Sequence, residues 1–281
     1  MERKPKWLKA SPLTVSKGMK VNKILKDLNL NTVCNEANCP NIGECFSRKT
    51  ATFMILGRIC SRNCKFCNVI NGNLEKIDPV EHINILEAVK KLNLKHVVIT
   101  SVTRDDLIDG GAGQFSLVIK FLKNNIKNIT IEVLIPDFQG KVDCLRKVIL
   151  ASPQIIGHNI ETVPRLYDLV RSESEYKRSI EVIKGIKTYG KNILSKSGIM
   201  LGLGENEDEL IRVMEDLRYV SCDILTIGQY LQPTKKHFPV KEYVKPEVFD
   251  KYKEYGIKLG FKHIESGPLV RSSYYADKIF E

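Results

Sequence analysis

Residues 51–67 read ATFMILGRICSRNCKFC. The stretch Thr52–Leu56 is short and almost wholly apolar, as a strand buried on both faces must be. Cys60, Cys64 and Cys67 follow at once, spaced Cys-x3-Cys-x2-Cys on a loop that has to wrap. A strand running straight into a loop of ligand-type side chains suits a parallel α/β fold, where the C-terminal strand ends carry the site.

Five more strand-like segments lie downstream: His96–Ser101, Thr130–Ile135, Ile155–Asn159, Ser195–Leu201 and Ile224–Gln229. Helix-like stretches alternate with them, at His82–Leu92, Gln114–Ile126, Lys141–Leu150, Glu173–Tyr189 and Glu207–Val220. In Gln114–Ile126, Phe115, Val118, Ile119 and Leu122 fall on one helical face with Lys120 and Lys123 between them. Six repeated βα units predict an α/β chain built as an open, partial (β/α)6 TIM-like barrel. Periodicity alone leaves a doubly wound sheet as the alternative. After Pro246 the pattern gives a helix at Glu247–Leu259, a short segment Phe261–Glu265 and the loop GPLVRSSYY. Residues 1–50 break the pattern. They read as an N-terminal extension ordered by a ligand, ahead of a barrel and C-terminal tail spanning 51–281. The first twenty residues, interrupted by Pro5 and Pro12, suit an extended arm.

Composition narrows the function. The 281 residues are 43% hydrophobic, enough for a full core without disulfide staples. No run of 18 apolar residues is present, and no apolar stretch near the start could serve a secretory signal, so a cytoplasmic protein with no membrane partner is expected. Six of the eight cysteines crowd between Cys34 and Cys67, which argues for metal in a reducing compartment. Cys144 and Cys222 stand alone in apolar surroundings and read as packed small side chains. The net charge of +11 fits steering of an acidic partner, binding of nucleic acid, or simply many solvated lysines. The absence of a dense basic block with interleaved aromatics counts against nucleic acid.

Three cysteines are one short of a closed zinc site or a fully ligated iron–sulfur cube. A cube held by Cys60, Cys64 and Cys67 would keep one iron open for chemistry, and Phe66 would shield it from water. A zinc knuckle completed by a distant ligand is the other reading. Cys34-x4-Cys39-x5-Cys45 is too widely spaced for a knuckle. Gly185 to Asn192 falls one residue short of a phosphate-binding loop and reads as a helix end. Gly202-x-Gly204 lacks the third glycine of a dinucleotide fingerprint, Glu207 standing there instead. The five histidines are scattered, and His237 is placed near the mouth or on the surface.

The Cys60/Cys64/Cys67 spacing resembles the radical S-adenosylmethionine superfamily. CNEANCPNIGEC at 34–45, the stretch quoted first, and GPLVRSSYY at 267–275 together resemble the lipoyl synthase family. Further similar stretches are SVTRDDLIDGGAGQF, HNIETVPRLYDLVR, KSGIMLGLGE and TIGQYLQPTKKHFPV, so the resemblance runs from Lys4 to Ala276. It implies two [4Fe–4S] clusters and S-adenosylmethionine as cofactors. The open iron of the Cys60/Cys64/Cys67 cluster would chelate the cofactor, and an electron would break its sulfonium bond to give a 5′-deoxyadenosyl radical. An auxiliary cluster would rest on Cys34, Cys39, Cys45 and Ser273. A serine oxygen is a hard ligand, poorly matched to thiophilic iron, and would be the first bond to let go. The implied activity is insertion of two sulfur atoms, at C6 and C8, into an octanoyl chain on a lipoyl carrier protein or domain. An electron donor such as ferredoxin or flavodoxin is implied as a second partner.

Cofactor contacts are expected at Gly198, Met200 and Gly202, at Asn159 and Glu161, and at Ser101 with the Arg104–Asp106 loop. Met200 also suits a core position, and Glu161 a helix N-terminal charge. Asn68 and Thr103 stand where the family usually has Asp, and Tyr275 where it has His. Two other functions stay open at this stage. One is a different sulfur-inserting or methylthiolating enzyme of the same superfamily; the other is a zinc-stabilised basic nucleic-acid-binding module without activity.

Overall fold

The computed structural model describes residues 4–8, 15–36, 39, 41, 42, 45 and 51–274. Its strands in chain order are β1 (Asn31–Thr32), β2 (Ala51–Ile55), β3 (Ile59–Cys60), β4 (Ile70–Asn71), β5 (His96–Ser101), β6 (Thr130–Leu134), β7 (Ile155–Gly157), β8 (Leu194–Leu201), β9 (Ile224–Gln229) and β10 (His263–Gly267). The main sheet has the order β1-β2-β5-β6-β7-β8-β9-β10, and β3 pairs with β4 apart from it.

From β2 to β10 every neighbouring pair in that sheet is parallel. Helices fill the crossovers at Glu81–Leu92, Ala112–Asn125, Val142–Leu150, Tyr176–Tyr189, Glu207–Tyr219 and Pro246–Lys258. Each new strand joins the same growing edge. A doubly wound sheet reverses its order at a switch point, and this one does not. Among the described residues no ladder joins the two outer strands.

The six expected strands are present within one or two residues. A seventh parallel strand, β10, covers most of the segment Phe261–Glu265 and pairs with β9 from His263 beside Ile224 to Gly267 beside Gly228. It delivers the C-terminal tail to the same end of the sheet as the cysteine loop.

The first twenty residues depart from the expected extended arm, because a helix spans Val15–Asp27. Both prolines precede it, so nothing blocks helical hydrogen bonding beyond residue 14. Val21 and Leu25, one turn apart, bury themselves in the barrel's first core cluster. Burial of that face stabilises a segment whose lysines and Gly18 give a weak sequence signal. β1 then pairs antiparallel with β2, fastening the extension to the barrel edge.

The core divides into two clusters. One holds Phe53, Ile99, Phe115 and Val133 with the first half of the barrel. The other holds Ile199, Leu201, Ile227 and Phe249 with the second half. Fully buried side chains such as Phe53, Phe115 and Phe249 each contribute about 1.5–3 kcal/mol of burial free energy. The cysteine loop straddles the seam: Cys60 packs on the first cluster and Phe66 on the second. Cys144 and Cys222 are buried, as expected.

Candidate active site

β2 ends at Ile55, and the chain leaves it through Leu56 at φ 69° and Gly57 at φ 90°. A left-handed leucine is strained, and the structure pins it from both sides. Its amide donates to both Glu81 carboxylate oxygens at 3.1 and 3.3 Å, while Arg104 donates to its carbonyl at 3.2 Å. A side chain at Gly57 would meet Glu75 Oε2 at 2.7 Å. The sharp exit turns the following residues across the barrel mouth.

β3 and β4 form a two-stranded parallel ribbon that closes residues 61–69 into a pocketed loop. Cys60 Sγ accepts from the Thr103 amide at 3.3 Å and from the Arg62 amide at 3.5 Å. Thr103 works here through its backbone, so its departure from the family's Asp leaves this contact intact. The Lys65 amide donates to Val170 O at 2.9 Å, and the Phe238 amide to Lys65 O at 2.8 Å. His237 places Nε2 2.9 Å from the Cys67 carbonyl oxygen, which puts it at the mouth.

Arg62, between Cys60 and Cys64, is the loop's main anchor. Its guanidinium donates to Asp105 at 2.6 and 2.9 Å, to Asp137 at 2.7 and 3.1 Å, and to Ser174 at 3.1 Å. Asp137 is wholly buried, and the Arg62 side chain is 6% exposed. Arg62 holds the Asp137 carboxyl well below the usual carboxylate range against the cost of burial. Such charge-assisted forks fix both geometry and energy.

The three loop thiols are free and half-buried. Burial pushes Cys64 up to about 11, with Cys60 adding to the effect and the Arg171 guanidinium opposing it. Burial likewise pushes Cys67 up to about 12, with Cys64 and Cys60 both contributing. The Glu161 carboxylate adds to both.

Glu161 itself adopts φ 69°. Its amide donates to Gly198 O and its carbonyl accepts from the Met200 amide, both at 2.9 Å, locking the end of β7's loop onto β8. Asn159 Nδ2 donates to Glu161 Oε1 at 3.0 Å. Gly198 leaves room that a Cβ would fill, 2.8 Å from both Asn159 Oδ1 and Thr226 Oγ1. Burial raises the Glu161 carboxyl, against the pull of Arg171. Arg171 also donates to the Asn159 carbonyl at 2.9 Å. Met200 is half-buried against the second core cluster. Ser101, at the end of β5, has a buried Oγ with no hydrogen-bond partner among the described residues.

Gly202 has an account that needs no cofactor. At φ +94°, a Cβ there would come within 2.2 Å of Gln229 Nε2 and 2.4 Å of Glu242 O. Gly202-x-Gly204 leads into a capping box at Asn206 and Glu209. The Gly185–Asn192 stretch is a helix end followed by β8.

The other trio gathers on the short helix Val33–Glu36 and the chain after it. Cys39 N donates to Cys34 O, and Cys45 N to Asn41 O, both at 3.0 Å. Burial raises Cys34 to about 11, with Cys39 adding and Thr52 opposing through its amide and hydroxyl. Asn68, next to Cys67, donates its side-chain amide to Glu36 O at 2.7 Å and links the two cysteine regions. An ionised Asp has no proton for that bond, so this departure from the family gains a physical role.

The C-terminal tail reaches this trio across the mouth. The Gln229 amide donates to Pro268 O at 3.3 Å, and Asn41 donates to Leu269 O at 2.6 Å. The Arg271 guanidinium lies close enough to Cys39 to feel its charge. Thr52 Oγ1 donates to Ser273 Oγ at 2.9 Å. Gly228 makes this crossing possible, since a Cβ there would stand 2.1 Å from the Val270 carbonyl oxygen. Tyr275 lies outside the described residues.

Residues 54–217 match the radical SAM superfamily. The chain is 55% identical to the lipoyl synthase of Alkaliphilus metalliredigens, covering 100% of this chain and 97% of that protein. The chain belongs to the lipoyl synthase family. It is 53% identical to the Aquifex aeolicus lipoyl synthase, covering 94% of this chain and 96% of that one. Among solved structures, Streptococcus suis SuiB bound to S-adenosylmethionine superposes with a TM-score of 0.62 at 13% identity, over 89% of this chain and 60% of that one. Methylornithine synthase gives 0.59 at 14% identity, over 89% and 85%. At these identities the structural matches speak for the fold alone.

Lipoyl synthases bring [4Fe–4S] clusters and S-adenosylmethionine, and the residues present fit both. Burial raises the Cys64 and Cys67 thiols, an electrostatic arrangement that iron would complete by taking them as thiolates. Among the described residues no three His, Cys, Asp or Glu side chains are gathered as around a single metal ion. The unpartnered Ser101 hydroxyl is a buried polar position at a strand end, of the kind a bound cofactor satisfies.

Arg62, Asp137, Arg171, Thr52 and Asn68 form much of this site, and motif spacing pointed to none of them. Arg62 gave one usable signal: it sits inside the cysteine loop, where a buried charge needs a dedicated partner.

Proposed function

We propose that this chain completes the lipoyl group by inserting two sulfur atoms, at C6 and C8, into an octanoyl chain carried on a lipoyl carrier protein or domain. In this reading Cys60, Cys64 and Cys67 hold the cluster that binds S-adenosylmethionine. Cys34, Cys39, Cys45 and Ser273 hold the auxiliary cluster that gives up its sulfur. What supports the reading is the hydrogen bond from Thr52 to Ser273, which brings a serine from the far end of the chain to the N-terminal trio.

When bound, the loop cluster and S-adenosylmethionine supply a carbon radical able to take hydrogen from an unactivated C–H. C6 and C8 of a fatty chain have no acidic proton, and no side-chain base could activate them. The residues' work is therefore placement and exclusion of water. Arg62 and its carboxylates hold the cysteine loop rigid. Asn159, Glu161, Met200, Ser101, Gly198 and Gly202 line the strand ends where the cofactor's adenine, ribose and methionyl parts would lie. Phe66 and His237 cover the outer side. The tail from Pro268 to Ser273 crosses the mouth to the second trio, where it would bring Ser273 to the auxiliary group.

The +11 charge suits an acidic carrier and an acidic electron donor such as ferredoxin or flavodoxin, met in the cytoplasm. No helix is long and apolar enough to cross a membrane among the described residues.

Mass spectrometry of an octanoylated carrier peptide, after anaerobic incubation with reductant and S-adenosylmethionine, tests the proposal. The expected product carries two sulfurs in place of two hydrogens. Cofactor cleavage with an unchanged peptide would overturn it and return the assignment to another branch of the superfamily.

A further inference from the structure

Thr52 lies on β2, one strand position into the barrel, with 3% of its surface exposed. Its Oγ1 donates to Ser273 Oγ at 2.9 Å.

We propose that Thr52 is the positioning residue for Ser273: its hydroxyl holds the serine oxygen in place where the tail reaches the N-terminal cysteines. The proposal rests on the reading above in which Ser273 completes the ligand set of that trio.

Two features carry it. Ser273 sits on a tail whose nearest regular structure, β10, ends at Gly267, so its side chain needs a fixed partner to select one rotamer. Thr52 supplies one, being buried on a strand paired on both sides, to β1 and to β5, with its hydroxyl 2.9 Å from the serine oxygen.

The test uses the full chain carrying Cys60→Ala, Cys64→Ala and Cys67→Ala, reconstituted anaerobically so that the N-terminal trio alone holds iron. The measurement is the rate at which a ferrous chelator draws off the first iron, read by absorbance and independent of turnover. Thr52→Val keeps the shape and deletes the donor, and should release iron about tenfold faster, the equivalent of one hydrogen bond. Thr52→Ser should restore the parent rate. Ser273→Ala should also be fast, and adding Thr52→Val to it should change nothing, because the two act as one unit. Parental release from Thr52→Val alongside fast release from Ser273→Ala overturns the role of Thr52. Parental release from Ser273→Ala instead removes the serine from the ligand set, and the proposal goes with it. Should the valine variant fail to fold, Thr52→Ala takes the same test.

Discussion

The two cysteine trios share a composition and differ in what holds them. Cys60, Cys64 and Cys67 sit on a ribbon closed by β3 and β4. Arg62 binds that loop to Asp105, Asp137 and Ser174 through a buried fork. Cys34, Cys39 and Cys45 lean on a four-residue helix, backbone turns and a tail held by single hydrogen bonds from Asn41 and Thr52. The difference is mechanical. Among the described residues, the loop trio is set in an ionic lattice and the N-terminal trio in single hydrogen bonds, which suits the proposed reading of a lasting group on the first and a spent one on the second.

Removing a ligand from each side should break this comparison most visibly. Cys64→Ala abolishes reductive cleavage of S-adenosylmethionine, whereas Ser273→Ala leaves cleavage intact and lowers the sulfur inserted per cofactor cleaved. Chromatographic assay of the cleaved nucleoside beside mass spectrometry of the peptide reads both. Loss of cleavage in Ser273→Ala would show that the two trios do not divide the labour.

Arg62→Ala tests the lattice itself. It leaves the Asp137 carboxylate buried without its main partner, and such a loss costs about 3–5 kcal/mol. Urea unfolding of the iron-free protein should show a drop of that order.

A smaller effect comes with acid. His158 donates from Nδ1 to Ile135 O, its Nε2 accepts from Ser179 Oγ, and it faces Arg171, Asp137 and Arg62. Burial, with Arg171 adding, pushes its imidazole down to about 4. At neutral pH the ring is uncharged whether the chain is folded or not. Below about 6.5 the unfolded chain takes a proton that the folded one refuses. Stability should therefore fall as the pH drops from 6.5 towards 4, by at most about 3 kcal/mol. In His158→Gln the slope over that interval should flatten, and an unchanged slope would assign the acid sensitivity to other groups.

Much of the barrel was legible because its strands are buried on both faces and announce themselves as apolar runs, as at His96–Ser101 and Ile224–Gln229. The cysteine spacings were legible because residues close together in sequence share one loop or turn. The helix Val15–Asp27 was not, since its stability comes from packing Val21 and Leu25 against the barrel, and lysines dominate its composition. β10 was half legible: His263 and Glu265 interrupt its apolar pattern, and each finds a partner in the other at 3.2 Å. The pairings Arg62–Asp137, Asn68–Glu36 and Thr52–Ser273 span 75, 32 and 221 residues. No periodicity encodes contacts of that range; they follow only once the strands are in order.

Gly228 shows how far a single position can act. It touches none of the cysteines, yet one methyl group there would drive the Val270 carbonyl outward, and Ser273 lies just three residues further along. The tail is thus a lever with its fulcrum on β9, and the tolerance for error at its tip is set by a hydrogen atom at its pivot.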